Sequence, residues 1–90
     1  MYDVIETQTV YRNTSKKSKA VNDVIKSTED PMEAMDFVMG IKPKSNEYWV
    51  LTGWNYYCDD DKSDPTKTFQ EYVFMNSKGD EMKYTYSIVN

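Results

Sequence analysis

The chain has 90 residues, a formal net charge of −4, an apolar fraction of 39% and an aromatic fraction of 14%. A chain of this length closes one hydrophobic core, and its apolar fraction is above that of disordered chains. The composition therefore predicts a single compact domain over residues 1–90 and excludes a disordered or multidomain protein.

The first part of the chain has the composition of a β-hairpin. Tyr2 to Asn13 is rich in β-branched and aromatic residues, which favours a strand. Val4 and Ile5 are adjacent and interrupt the alternation, which indicates a bulge or an edge strand with polar residues on both faces. The polar run 14–19 is expected to be a solvated loop. Ala20 to Lys26 is short and β-branched, and is predicted to be the second strand.

The clearest local pattern is that of a helix beginning after Asp30. Asp30 suits the N-cap, Pro31 the first helical position, and Glu33 completes a capping-box-like pair. Gly40 suits a left-handed C-cap, and Pro43 prevents the helix from continuing. We expect one helix of about ten residues that is apolar over most of its circumference.

After Glu47 the apolar residues alternate with the period of a strand. Trp49 to Tyr57 carries large side chains on both faces and is predicted to be an interior strand. Lys67 to Asn76 and Met82 to Ile88 are two further strands, joined by a tight turn over 76–80. The sequence thus predicts an α+β fold: an antiparallel sheet of about five strands, in the order ββαβββ, with one helix packed on one face.

The residue types argue against catalysis. The chain has no histidine, which removes the usual general base and the commonest zinc ligand, and its three glycines are too dispersed for a phosphate-binding loop. The acidic run 59–64 matches an EF-hand only in part, because Asp64 stands where that pattern needs glycine. We expect a protein that is not an enzyme and has no cofactor and no metal site.

Composition also bears on location. The lone Cys58 cannot form an internal disulfide, the N-terminal residues lack a signal-peptide pattern, and no apolar run approaches the roughly 18 residues of a membrane span. These features predict a cytoplasmic protein without a membrane segment. The frequent lysine, tyrosine and asparagine are typical of A/T-rich genomes, which indicates a bacterium or a phage-infected cell.

Charge and aromatic residues favour protein binding. Residues 1–46 contain seven basic and seven acidic residues, whereas residues 47–90 contain four and eight, so the second half carries the net charge of −4. An acidic segment steers a basic protein surface towards it, and Tyr and Trp are common interface anchors. The predicted partner-binding residues are Asp59, Asp60, Asp61, Asp64, Trp54, Tyr56 and Tyr57.

The leading hypothesis is a small inhibitor or adaptor, such as a phage accessory protein that binds a host or defence protein with a basic surface. An open edge strand would also allow pairing with a second copy of the chain. The alternative is a single-stranded RNA- or DNA-binding protein, in which sheet aromatics stack on bases and Lys16, Lys17 and Lys19 hold phosphates. The net negative charge and the single arginine count against this alternative.

Overall fold

The computed structural model describes residues 1–58 and 64–90. In chain order the described elements are β1 (Tyr2–Arg12), β2 (Lys17–Thr28), α1 (Pro31–Gly40), β3 (Val50–Tyr57), a 3₁₀ helix (Pro65–Lys67), β4 (Phe69–Met75) and β5 (Glu81–Val89). The predicted α+β fold, with one α-helix and the order ββαβββ, is confirmed. Ala20 to Lys26 lies within β2, as expected for the second strand of a hairpin.

All five strands form one antiparallel sheet in the order β2-β1-β5-β4-β3. The first and last strands are therefore neighbours, with Asp3 opposite Val89 and Tyr11 opposite Glu81. We call the end with the β1–β2 and β4–β5 turns the upper end of the sheet. The lower end carries the β2–α1 connection, the last residue of β3 and the first residue of β4.

Two predictions about position within the sheet need correction. The bulge in β1 is present between Val4 and Ile5, but β1 lies between β2 and β5 and is not an edge strand. The prediction that Trp49 to Tyr57 is an interior strand is wrong, because β3 lies at the edge of the sheet beside β4. The alternation of apolar residues indicates which faces of a strand are apolar. It does not indicate whether the strand has one neighbouring strand or two.

The start of α1 lies where the sequence predicts it, but one hydrogen-bond partner differs from the prediction. The Asp30 side chain accepts a hydrogen bond from the Met32 amide at 3.0 Å, and Pro31 is the first helical residue. Thr28, and not Glu33, satisfies the Asp30 amide, through its hydroxyl at 3.1 Å. That hydroxyl donates to Glu33 at 3.0 Å. Thr28 therefore connects the Asp30 backbone amide to the Glu33 carboxylate.

The end of α1 differs from the prediction. Gly40 is the last helical residue and does not have a positive φ, so the predicted left-handed C-cap is wrong. The cap is Ile41 in an extended conformation, whose amide donates to the carbonyl oxygen of Val38 at 3.3 Å. An extended cap leads the chain directly away from the helix and needs no glycine.

The two turns at the upper end are joined to each other. Gly79 adopts a φ of 79°, as the turn prediction requires, and Lys16 closes the other turn with a φ of 57°. Asp80, only 5% exposed, accepts a hydrogen bond from the Asn13 backbone amide at 2.8 Å. That bond is the main reason why the pKa of Asp80 is lowered. The predicted loop 14–19 is shorter than expected, since β2 begins at Lys17.

The core lies between α1 and one face of the sheet, which we call the helix-bearing face. Its fully buried apolar residues come from the helix and from three strands; they are Val4, Ala34, Met35, Val38, Tyr72, Phe74, Tyr86 and Ile88. The helix starts beside the lower end of β2, and its last residues reach β4. Within the described residues no helix covers the opposite face, which we call the open face.

Candidate protein-binding site

The three aromatic residues predicted on β3 are exposed but do not share one surface. Trp54, Tyr56 and Tyr57 are 44%, 62% and 48% exposed. Trp54 is paired with the core residue Tyr72, which places Trp54 and Tyr56 on the helix-bearing face. Tyr57 points to the open face, where Phe69 is its cross-strand partner. The candidate site is therefore built on the first two.

Trp54 and Tyr56 form what we call the aromatic platform. Their ring centroids are 6.0 Å apart and their planes are inclined by 53°. The platform borders a shallow cleft of about 190 Å³, whose lining is completed by Met39, Lys42 and Gln70. The Lys42 ammonium is 3.4 Å from the Met39 carbonyl oxygen at the rim. The cleft is an open, mostly apolar depression with a few polar groups.

Gln70 fixes the orientation of the platform. Its side-chain amide donates to the carbonyl oxygens of Val38 and Ile41, both at 2.7 Å, and its oxygen accepts from the Trp54 indole N–H at 2.7 Å. Gln70 is 1% exposed, so both of its ends are held within the protein. The C-terminal end of α1 thus positions, through one side chain, an aromatic ring that remains exposed to solvent.

This arrangement suits protein recognition. An aromatic side chain offers a large contact area, and one that is already ordered loses little conformational entropy when a partner binds. Trp and Tyr are also the residues most enriched among energetically dominant interface contacts. The platform combines both properties, because the hydrogen bond from Trp54 to Gln70 removes freedom that an exposed indole would otherwise have.

The acidic part of the predicted site is described only in part. Asp59, Asp60 and Asp61 lie outside the described residues. Asp64 is the N-cap of the 3₁₀ helix at the lower end of the sheet, where its carboxylate accepts hydrogen bonds from the Thr66 amide and hydroxyl. The Thr66 hydroxyl is the main cause of the lowered pKa of Asp64, which therefore stays ionised at neutral pH.

The three lysines of the alternative site lie at the opposite corner of the sheet. Lys16, Lys17 and Lys19 are exposed at the upper end of the β1–β2 hairpin. A hollow of about 600 Å³ lies beside them; its lining residues are Gln8, Val10, Arg12, Ser15, Lys17, Ser18, Lys19 and Val21. Four strand spacings of about 4.8 Å, or roughly 19 Å, separate β2 from β3. The structure does not bring the lysines beside the aromatic platform.

A buried hydroxyl network spans the middle of the helix-bearing face. Tyr86 donates to the Glu6 carboxylate at 2.7 Å, and its oxygen is 3.1 Å from that of Tyr72. Burial, followed by these hydrogen bonds, raises the pKa of Tyr86, so the phenol stays protonated and acts as a donor. Glu6 is thereby paired on the same face of β1 as the buried Val4. The network is a structural one that holds β1 to β5.

Sequence reasoning missed both Gln70 and the Glu6 network. Both residues could have been recognised from their place in the alternation of apolar residues along their strands. Gln70 lies in phase with Tyr72 and Phe74, and Glu6 lies in phase with Val4. A polar residue on an apolar face indicates a buried hydrogen-bonded group, because such a group is costly to bury alone.

The described part of the site has no cluster of metal ligands, and no known family matches the chain. Among residues 1–58 and 64–90, no group of three or more His, Cys, Asp or Glu side chains is arranged to hold a metal ion. The part of the chain that the structure describes has no helix with the length and apolarity needed to cross a membrane. Comparisons with protein-family models, curated proteins and solved structures found no significant match.

Proposed function

We propose that this protein is a non-enzymatic protein-binding module that docks on its partner through the aromatic platform. One observation carries the proposal: Trp54 is 44% exposed and yet is held at 2.7 Å by Gln70, a side chain that is itself 1% exposed. An ordered and solvent-exposed tryptophan is what an interface anchor requires.

The partner we propose is a host protein with a basic surface. The support is the charge of the second half of the chain, where Asp59, Asp60, Asp61 and Asp64 follow directly after β3. An excess of acidic groups raises the rate of encounter with a basic surface. A module of this kind acts in the cytoplasm as an inhibitor or adaptor. The frequent lysine, tyrosine and asparagine, which are typical of A/T-rich genomes, fit a phage accessory protein directed at a bacterial protein.

Affinity capture from a bacterial host lysate tests the proposal, with nuclease treatment to remove associations that depend on nucleic acid. Trp54→Ala is expected to weaken the captured complex by about 30-fold or more, the effect of removing a dominant anchor. Tyr48→Ala is the matched control, since Tyr48 is 71% exposed and lies outside the platform. Equal losses for the two variants would contradict the proposal.

A charge change distinguishes protein from nucleic acid as the partner. Replacing Asp59, Asp60, Asp61 and Asp64 with Asn should slow association with a basic protein, and the effect should shrink at high salt, because the screening length falls from about 8 Å at 0.15 M to about 3 Å at 1 M. If Lys16, Lys17 and Lys19 instead hold a single strand, the same change should tighten binding by removing repulsion from phosphates. Tighter binding after neutralisation would refute the protein-binding proposal.

A further inference from the structure

β3 has the composition of an interior strand but lies at the edge of the sheet. Val50–Tyr57 contains no charged residue and no proline, and it carries large side chains on both faces. Natural edge strands are commonly protected against pairing by lysine, proline or a short length. The other edge shows such protection, because β2 carries Lys17, Lys19 and Lys26. β3 is therefore the edge that is open to a further strand.

We propose that β3 pairs antiparallel with β3 of a second copy of this chain. The twofold axis is perpendicular to the sheet, and the two five-stranded sheets become one continuous sheet. This interface is the backbone edge of β3, whereas the proposed function uses the helix-bearing face of the same strand. The backbone edge makes the hydrogen bonds of the dimer, while the Trp54 and Tyr56 side chains take part in both proposals.

The geometry of β3 selects the register. A bulge lies between Leu51 and Gly53, and the Leu51 amide already donates to the Ser45 hydroxyl at 2.9 Å. The regular part of the edge is thus Gly53 to Tyr57, with Asn55 at its centre. A perpendicular twofold axis keeps each face on its own side, so only residues on the same face can oppose each other.

Centring the pair on Asn55 creates favourable cross-strand neighbours. Asn55 lies opposite its own copy, Trp54 lies opposite Tyr56 of the second copy, and Gly53 lies opposite Tyr57 of the second copy. Aromatic pairs of this kind stabilise antiparallel strands, and an aromatic side chain covers the gap left by a glycine. The two aromatic platforms would then lie side by side on one face of the dimer.

Charge favours a second copy as the occupant. A twofold interface opposes a strand with itself, which brings like charges together unless the strand is uncharged, as β3 is.

Sedimentation equilibrium with Asn55→Lys tests the dimer. The wild-type chain is expected to dimerise with a dissociation constant on the order of 10 μM, typical of a small interface. Two lysines at the axis should weaken it by about fivefold or more. Asn22→Lys is the matched control, because Asn22 is an exposed asparagine on the other edge strand, and it should leave the dimer intact.

A wild-type chain that stays monomeric up to about 1 mM would overturn the inference, as would equal weakening by both lysine variants. If Asn55→Lys does not fold, amide hydrogen exchange of the wild type decides: protection of Gly53 to Tyr57 must rise with protein concentration, and constant protection refutes the dimer. A monomeric variant that still captures the host protein would separate the two proposals. A dimer that captures nothing would leave the dimer standing and refute the proposed function.

Discussion

Replacing Gln70 with methionine is expected to destabilise the fold by about 2 kcal/mol. Methionine keeps the length of the side chain but removes its three hydrogen bonds. The Val38 carbonyl retains the Ile41 amide as a donor, so the main loss falls on the Ile41 carbonyl. A poorly solvated group without a partner costs about 1–3 kcal/mol. A chain of this length has a total stability of roughly 5–14 kcal/mol.

Urea denaturation measures this loss, which should appear as a lower midpoint with an unchanged m-value. Trp54→Phe is the comparison, since it leaves Gln70 on both helix carbonyls and only the Gln70 oxygen without its donor; its cost should be about 1 kcal/mol and lower than that of Gln70→Met, which leaves both the Ile41 carbonyl and the Trp54 indole without a partner. In a Trp49→Phe background the fluorescence anisotropy of Trp54 should fall when Gln70 is replaced. The reasoning is refuted if Gln70→Met lies within about 0.5 kcal/mol of the parent protein, or if the anisotropy does not change.

Three further substitutions test the upper end and the buried network by the free energy of unfolding. Asp80→Asn should destabilise at pH 7, and the difference should shrink as the pH falls below about 4, because the lowered pKa of Asp80 stabilises the fold only while the unfolded carboxyl is ionised. Equal destabilisation at pH 7 and pH 3 would contradict this. Tyr86→Phe should cost about 1–3 kcal/mol by leaving Glu6 without its buried donor, and a neutral effect would argue against the network. Gly79→Ala should cost about 1–2 kcal/mol at its φ of 79°, where a new Cβ would also meet the side-chain amide nitrogen of Asn13 at 3.0 Å; an unchanged midpoint would refute the strain.

The elements specified by short-range chemistry were predictable. Asp30 and Pro31 determine where α1 starts, and the residues that do so are neighbours in the sequence. The turn before β5 likewise depends on Gly79, whose positive φ few other residues tolerate. In both cases the deciding contacts lie within a few residues, so reading the chain locally is sufficient.

Strand position was not predictable in the same way. The adjacent Val4 and Ile5 correctly indicated a bulge, yet whether β1 lies inside the sheet depends on β5, more than seventy positions away. The opposite error occurs for β3, which lies at the edge of the sheet although two apolar faces are typical of an interior strand. Pairing between strands that are far apart in the sequence depends on the whole sheet, and the local alternation of apolar residues does not predict it.

The candidate site was predictable only in its chemistry. Trp54 and Tyr56 are exposed, and their part in binding stays a prediction. Their separation from Tyr57 follows from the alternation of β3 and could have been read from the sequence. The hydrogen bond from Trp54 to Gln70 depends on the pairing of β3 with β4, which the sequence did not specify.

The central place of β5 sets a condition on the order of events during synthesis. β1 and β2 form one hairpin, whereas β3 and β4 form another pair, and β5 is the strand that joins them. Until the residues up to Val89 leave the ribosome, the inner edges of β1 and β4 lack the strand that pairs with both. Because these edges meet only through β5, the sheet can be completed only after β5 has been translated.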